Sequence, residues 1–174
     1  AEQSALMMQE SDNSLAETLG RNLSVLTGGD GSTQGAITAV REALAQAGLP
    51  TNYTQVDLSG LSMNNKVSNE LLTGIALRAV KGSSGERLAL QGLPVAGYSG
   101  TLGLANRFND ADELSGRGVV RAKTGTLNSV LSLTGYTVTD SGRVLVFSVI
   151  MNDLEDTNAA KNTMDRFAAQ LSQQ

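Results

Sequence analysis

The chain has 174 residues, enough for one domain with a substantial core, and its 40% hydrophobic and 17% charged residues are typical of a globular protein. Its net charge of −4 at pH 7, with basic residues scattered along the sequence, excludes an extended surface for nucleic acid or for an anionic membrane. Because the sequence contains neither histidine nor cysteine, nucleophilic chemistry must use Ser or Thr with Lys, and we predict no metal site and no cofactor.

The N-terminal part is predicted to be helical. Residues 4–9 and 14–26 form two helical pieces, and the second carries leucines at helical spacing. Ser11, Asp12 and Asn13 lie between the two pieces. Since Ser, Asp and Asn are favoured helix N-caps, a helix start alone would also explain these three residues.

The middle of the chain is predicted to contain two further helices and one short strand. An amphipathic helix spans residues 33–47, and another runs from about Ser68 to Val80. Residues 55–58 are a strand candidate, followed by a turn-rich loop. Ser62 and Lys66 are not a nucleophile pair, because they are four residues apart and a helical Ser-x-x-Lys turn needs three.

The C-terminal part is predicted to contain a hairpin and a final helix. Residues 93–102 form mostly a loop, with a short helix that begins at Thr101. The extended runs 129–139 and 143–151 are joined as a hairpin, and the second run is apolar on both faces. Such a strand is usually covered on both sides, which favours helices packed over a sheet. A last helix starts after Asp156 or Thr157, with an apolar stripe suited to the sheet.

Between the loop and the hairpin lies Lys123-Thr124-Gly125-Thr126, which we interpret as a turn at the end of a strand. Lys123 supplies a positive charge, and Thr124 and Thr126 supply hydroxyl donors. Gly125 lets backbone N–H groups approach a ligand without a Cβ in the way. The four residues therefore predict a site for a substrate carboxylate, although a plain strand-entry turn remains the alternative for so short a motif.

Four motifs in order resemble the successive signatures of class C penicillin-binding proteins, which are D-alanyl-D-alanine carboxypeptidases and endopeptidases of the bacterial cell wall. They are Ser11-Asp12-Asn13, residues 57–62, residues 93–102 and residues 122–127. Class A β-lactamases share the two short motifs but lack the 93–102 stretch. The resemblance implies an α+β transpeptidase fold of the penicillin-binding/β-lactamase type, with an antiparallel sheet covered by helices.

The resemblance also implies roles for individual residues. Ser11 would relay a proton toward the leaving amine, and Asn13 would hydrogen-bond a backbone carbonyl of the substrate. Lys123 would set the local positive potential. Thr124 and Thr126 would bind the terminal carboxylate of D-alanine, and the N–H of Thr126 would be one oxyanion donor. The implied reaction is acyl transfer through an acyl-serine intermediate.

The sequence departs from the family at the nucleophile, because no serine has a lysine three positions on. The family carries that Ser-x-x-Lys turn upstream, so we expect residues 1–174 to be the C-terminal part of one domain, with a helical portion at about 1–115 and the strands and final helix at about 116–172. We expect an N-terminal segment, as a second chain or a cleaved partner, to supply the nucleophile. Alone, the chain should be inactive and poorly stable, with an unpaired sheet edge. A smaller departure is Leu58, where the family commonly has Gly.

Family membership would make the peptidoglycan stem peptide the substrate and β-lactam antibiotics the inhibitors, with action outside the cytoplasm, in the periplasm or on the cell-wall side of the membrane. Two rival hypotheses remain open on the sequence. The first is a noncatalytic module of the same fold that binds peptidoglycan peptides. The second is a helix-rich interaction domain in which the motifs occur by chance.

Overall fold

The computed structural model describes residues 2–174, and within that range it contains six α-helices and one three-stranded antiparallel sheet. The helices are α1 (Glu2–Glu10), α2 (Asn13–Leu26), α3 (Thr33–Gln46), α4 (Asn69–Lys81), α5 (Ser84–Gln91) and α6 (Thr157–Ser172). The strands are β1 (Arg121–Leu127), β2 (Val130–Val138) and β3 (Val144–Met151). This confirms the predicted α+β class. None of the helices in the described range is long and apolar enough to cross a membrane.

Helix starts follow local sequence signals. Five helices begin at a side chain that accepts a backbone N–H of the first turn: Asp12, Ser32, Ser68, Ser83 and Asp156. The predicted helices before residue 81 and after residue 156 are confirmed to within about two residues at each end. Helix α5 is not among the predicted helices, although it starts at a capping box formed by Ser83 and Glu86.

The sheet has the strand order β1-β2-β3 and lies between α6 and α4. On one face, Leu133 and Phe147 are buried in a core with Met164 and Ala168 of α6. On the other face, the Ser148 hydroxyl donates to the side-chain oxygen of Asn69 at the start of α4, at 3.0 Å. Both faces of β3 are therefore covered, as its apolar sequence predicts.

The predicted strand at residues 55–58 is wrong. The described residues nearby form only an isolated bridge between Thr54 and Lys66. Asp57 accepts hydrogen bonds from the backbone N–H groups of Gly60 at 2.8 Å and Ser62 at 2.7 Å. A short polar side chain that binds backbone groups three and five residues ahead closes a turn and prevents an extended ladder.

The predicted turn at Lys123-Thr124-Gly125-Thr126 is also wrong, because these residues lie inside β1 and pair with residues 131–134 of β2. The chain turns later, at Asn128 and Ser129. Gly125 is needed for a close approach: a Cβ at that position would lie 2.3 Å from the hydroxyl oxygen of Ser132. The lysine and the two threonines are thus held by a paired strand, which is more rigid than a loop.

The segment before β1 is anchored on α6. Arg107 donates two hydrogen bonds to the carboxylate of Asp165, at 2.6 and 2.5 Å, and both side chains are buried. Next to this pair, Phe108 is fully buried in the core. The Ser115 hydroxyl donates to the carbonyl of Ala169 at 3.1 Å. These contacts fix the path by which the chain enters β1.

Candidate active site

Lys123 and Ser11 are in direct contact although 112 residues separate them in sequence. The Lys123 Nζ donates to the Ser11 Oγ at 2.7 Å and to the backbone carbonyl of Thr124 at 2.8 Å. No carboxylate forms an ion pair with Lys123 anywhere in residues 2–174. Burial lowers the pKa of the Lys123 ammonium group. The contact therefore holds a positive charge without an acidic partner to neutralise it.

Ser11 occupies the junction between α1 and α2, and its backbone has a φ of 54°, in the left-handed region that residues other than glycine rarely adopt. The Asp12 N–H donates to the Met7 carbonyl, and the Asp12 side chain accepts from Leu15 N at 2.8 Å, which caps α2. The motif is therefore a helix start, and it also contributes Ser11 to the contact with Lys123. Backbone strain of this kind is common at functional sites.

Asn13 is the first residue of α2 and its side chain is exposed. Within the described part of the chain, that side chain makes no hydrogen bond to Ser11 or Lys123. The structure thus places Asn13 two residues from the Ser11–Lys123 contact with its amide free. Its role in substrate binding stays a prediction.

Thr124 and Thr126 lie on one face of β1, and Lys123 and Gly125 lie on the other, because side chains alternate along a strand. The Thr124 Oγ1 is 2.8 Å from the Oγ1 of Thr101, which belongs to a one-turn 3₁₀-helix at Gly100–Leu102. Thr126 is exposed. The sequence predicts this short helix but indicates no role for Thr101, which lies within residues 93–102.

Glu17, four positions after Asn13 on α2, is a second residue that the sequence motifs do not indicate. Its Oε1 accepts hydrogen bonds from the backbone N–H groups of Leu58 at 2.8 Å and Ser59 at 3.0 Å. The 57–62 motif is therefore attached to the helix that follows Ser11. Leu58, the residue that departs from the family pattern, packs over Gly20, where a Cβ would lie 2.5 Å from its Cγ.

Replacing Glu17 by Ala should release the 57–62 loop, because the N–H groups of Leu58 and Ser59 would lose their acceptor. Half-buried backbone donors left without a partner cost about 1–3 kcal/mol. We expect faster amide hydrogen exchange at these two residues, with a smaller effect for Glu17→Gln, which keeps the acceptor oxygen. Glu42→Ala is the matched control, since Glu42 is an exposed helical glutamate. Equal exchange in Glu17→Ala and the control would contradict the assignment.

The carboxylates of Asp110, Asp112 and Glu113 are the one acidic group in the described residues whose ligand atoms come within 4.8 Å of one another. Burial raises the pKa of the Glu113 carboxyl, with the charges of Asp165 and Asp110 adding to the effect. The Asp112 carboxylate also pairs with Arg166 at 3.1 Å. Within residues 2–174, none of these three acids forms a hydrogen bond with Ser11 or an ion pair with Lys123.

The family model and the sequence relatives that match this chain are all carboxypeptidases. Residues 4–173 match the family model described as D-Ala-D-Ala carboxypeptidase 3 (S13). The chain is 40% identical over 169 residues to carboxypeptidase Rv3627c of Mycobacterium tuberculosis, covering 95% of this chain and 36% of that protein. It is 38% identical over 171 residues to carboxypeptidase DacB of Mycolicibacterium smegmatis, with the same two coverages of 95% and 36%. The chain thus spans about a third of the length of these curated relatives.

The fold is similar to that of penicillin-binding protein 4 from Haemophilus influenzae, whose crystal structure was determined in complex with a novel β-lactam. The TM-score is 0.86, with 24% sequence identity over 99% of this chain and 41% of that chain. It is also similar to the Bd3459 predatory endopeptidase of Bdellovibrio bacteriovorus, with a TM-score of 0.70 and 20% identity over 97% of this chain and 42% of that one. These structural likenesses show the fold, and the sequence relatives show the family.

Proposed function

Because the chain belongs to the D-Ala-D-Ala carboxypeptidase 3 (S13) family, we propose that it binds the D-Ala-D-Ala end of cell-wall stem peptides as part of a serine carboxypeptidase or endopeptidase. The observation that carries the proposal is the 2.7 Å contact between Lys123 Nζ and Ser11 Oγ. It joins two family motifs from distant parts of the sequence into one polar site. Such convergence is what acyl-transfer chemistry needs and what chance motifs would not produce.

The reaction proceeds through an acyl-serine intermediate. The nucleophilic serine attacks the carbonyl carbon of the penultimate D-Ala, and the tetrahedral intermediate collapses with loss of the terminal residue. Since Lys123 donates to Ser11 Oγ, the Ser11 hydroxyl keeps its own proton available for the leaving nitrogen. Ser11 gives this proton to the leaving amine and takes back the proton that the base removed from the nucleophile, so that Lys123 stays protonated throughout. Water then hydrolyses the acyl-enzyme.

Substrate binding uses the strand that carries Lys123. The terminal carboxylate lies at the hydroxyls of Thr124 and Thr126, within the field of an ammonium group that has no acidic partner in residues 2–174. The N–H of Thr126 is one donor of the oxyanion hole. Each such donor stabilises the transition state by about 3–4 kcal/mol. The amide of Asn13 binds a backbone carbonyl of the peptide. β-Lactams occupy the same site.

The nucleophile comes from an N-terminal segment of the same protein, because no serine here has a lysine three positions on. That segment, as a continuous part of the chain or as a separate polypeptide, completes the domain. The outer edge of β3 has no strand partner in the part of the chain described, which supports the same conclusion. Because the substrate is part of the cell wall, the protein acts outside the cytoplasm, in the periplasm or on the outer side of the membrane.

Labelled penicillin tests this proposal. We expect no covalent label on the 174-residue chain alone, and label on a serine of the N-terminal segment when the two parts are produced together. A Lys123→Ala chain combined with the same segment is the control and should label much more slowly. Label on the chain alone, mapped to Ser11, would contradict the assignment and make Ser11 and Lys123 the nucleophile pair. Reversible binding of D-Ala-D-Ala peptides without turnover by the combined parts would favour the noncatalytic module instead.

A further inference from the structure

Thr101 is held rigidly beside the carboxylate-binding strand. Its Oγ1 lies 2.8 Å from the Oγ1 of Thr124, and either oxygen is able to donate. The next residue, Leu102, is fully buried in the core. The preceding residue, Gly100, has a φ of 53°, and a Cβ there would lie 2.6 Å from the Gln9 carbonyl oxygen. The backbone at Thr101 is thus fixed by packing of the residues on both sides of it, and its hydroxyl is held by the contact with Thr124.

The direction of this hydrogen bond decides what Thr124 presents to a ligand. A threonine hydroxyl has one proton and accepts through its lone pairs. If Thr124 donates to Thr101, its proton is used and an anion meets only oxygen lone pairs. If Thr101 donates to Thr124, the Thr124 proton is free for an anion. Lys123 does not compete, since it donates to the carbonyl of Thr124 and leaves the hydroxyl alone.

We propose that Thr101 is a positioning residue that orients the Thr124 hydroxyl as a donor and so makes the site selective for a free C-terminal carboxylate. An anion favours the chain in which Thr101 donates to Thr124 and Thr124 donates to the ligand, because a charged acceptor strengthens both bonds. A peptide that ends in a neutral amide gains less from this arrangement. The inference rests on the proposed function, because it concerns how that same site reads the end of the stem peptide.

The test uses the protein that carries both this chain and the nucleophile segment. Two peptides are compared, one ending in free D-Ala-D-Ala and one ending in the corresponding C-terminal amide. For Thr101→Val we expect KM for the free acid to rise about tenfold, with kcat little changed. A tenfold change corresponds to the weakest of the hydrogen bonds that proteins make to charged groups. For the amide peptide we expect less than about a twofold change. Thr101→Ser, which keeps the hydroxyl, should restore the preference for the acid.

A double substitution tests whether Thr101 acts by orienting the Thr124 hydroxyl or only by supporting the local structure. In a Thr124→Val background, Thr101→Val should cost nothing further, because its effect acts through the Thr124 hydroxyl. Thr163→Val on α6 is the control for loss of a threonine hydroxyl elsewhere. Should Thr101→Val lower the unfolding temperature, Thr101→Ala with the same two peptides replaces it.

Each outcome is decisive. Equal losses on both peptides, no rescue by Thr101→Ser, or additive losses with Thr124→Val would overturn the inference and leave the proposed function intact. A wild-type protein that turns over neither peptide and takes no penicillin label would overturn both.

Discussion

Replacing Asp165 by Ala is expected to lower the free energy of unfolding by about 3–5 kcal/mol, because it leaves the Arg107 guanidinium buried without a partner. Asp165 is 0% exposed and Arg107 is 7% exposed, so water does not replace the lost carboxylate. Both Arg107 hydrogen bonds to Asp165 are short and charge-assisted. Urea denaturation of the protein that carries the nucleophile segment, followed by circular dichroism, measures the change.

The chain offers a matched control on the same two segments. Asp112 and Arg166 also join the segment before β1 to α6, at 3.1 Å, but both side chains are about half exposed. Exposed pairs of this kind contribute about 0–1 kcal/mol, so Asp112→Ala should have little effect. Replacing both Arg107 and Asp165 by leucine should recover much of the loss, since no unpaired charge remains. Similar losses for Asp165→Ala and Asp112→Ala would contradict this account.

Those elements whose signals are local in sequence were predictable. Hydrophobic spacing and a capping side chain are contained within one helix, so α2, α3, α4 and α6 were predicted close to their bounds. The hairpin of β2 and β3 was predicted for the same reason, because its turn at Thr139 to Gly142 joins two clearly extended runs. α5 was missed although its capping box is also local: it is only eight residues long.

Where the structure differs from the prediction, contacts just outside the motif decide the local structure. The glycine in Lys123 to Thr126 predicts a turn, but these residues pair with β2 and form a strand. Gly125 is needed there because a Cβ would clash with the Ser132 hydroxyl. Residues 55–58 alternate like a strand, but hydrogen bonds to Asp57 close them into a turn. Hydrophobic alternation alone does not indicate a side-chain acceptor three to five residues away or the pairing of a strand with its neighbour.

In the candidate site too, the sequence indicates single residues but not the contacts between them. The family motifs indicate Ser11 and Lys123 as site residues. Their contact spans 112 residues of sequence, so no local pattern predicts it, and only the fold shows it. The motifs do not indicate Thr101 and Glu17, because each contacts a group elsewhere in the sequence: the Thr124 hydroxyl in one case and the N–H groups of Leu58 and Ser59 in the other. Residues that orient other residues are identified by their contacts.

Replacing Lys123 by Ala should reduce kcat/KM for a D-Ala-D-Ala peptide by about 10²–10³-fold in the protein that carries the nucleophile segment, similar to the loss of one pre-aimed donor in an acyl-transfer site. The change removes the bond to Ser11 Oγ and the positive charge together. Lys81→Ala is the control, because Lys81 is an exposed lysine at the end of α4. Unchanged kcat/KM in Lys123→Ala would contradict the assigned role.

The pH dependence gives an independent test of the same residue. Burial lowers the pKa of Lys123, so the ammonium loses its proton at a lower pH than a free lysine does. Activity should therefore fall on the alkaline side as pH rises through this lowered pKa. Lys123→Arg should lack that alkaline fall, since a guanidinium stays charged. An alkaline limb that is the same in wild type and Lys123→Arg would assign it to another group.

As pH rises, deprotonation of Lys123 should increase the stability of the folded protein while it lowers the activity. Because the folded-state pKa is lower than the unfolded-state pKa, the native protein binds fewer protons than the unfolded chain between the two values, and stability rises with pH through that window. Below the window, the buried charge opposes folding. Lys123→Met, which keeps the length of the side chain without the charge, should therefore unfold at the same temperature as wild type or higher at neutral pH while losing activity. A large fall in unfolding temperature would instead make Lys123 a structural residue whose loss of activity follows from unfolding.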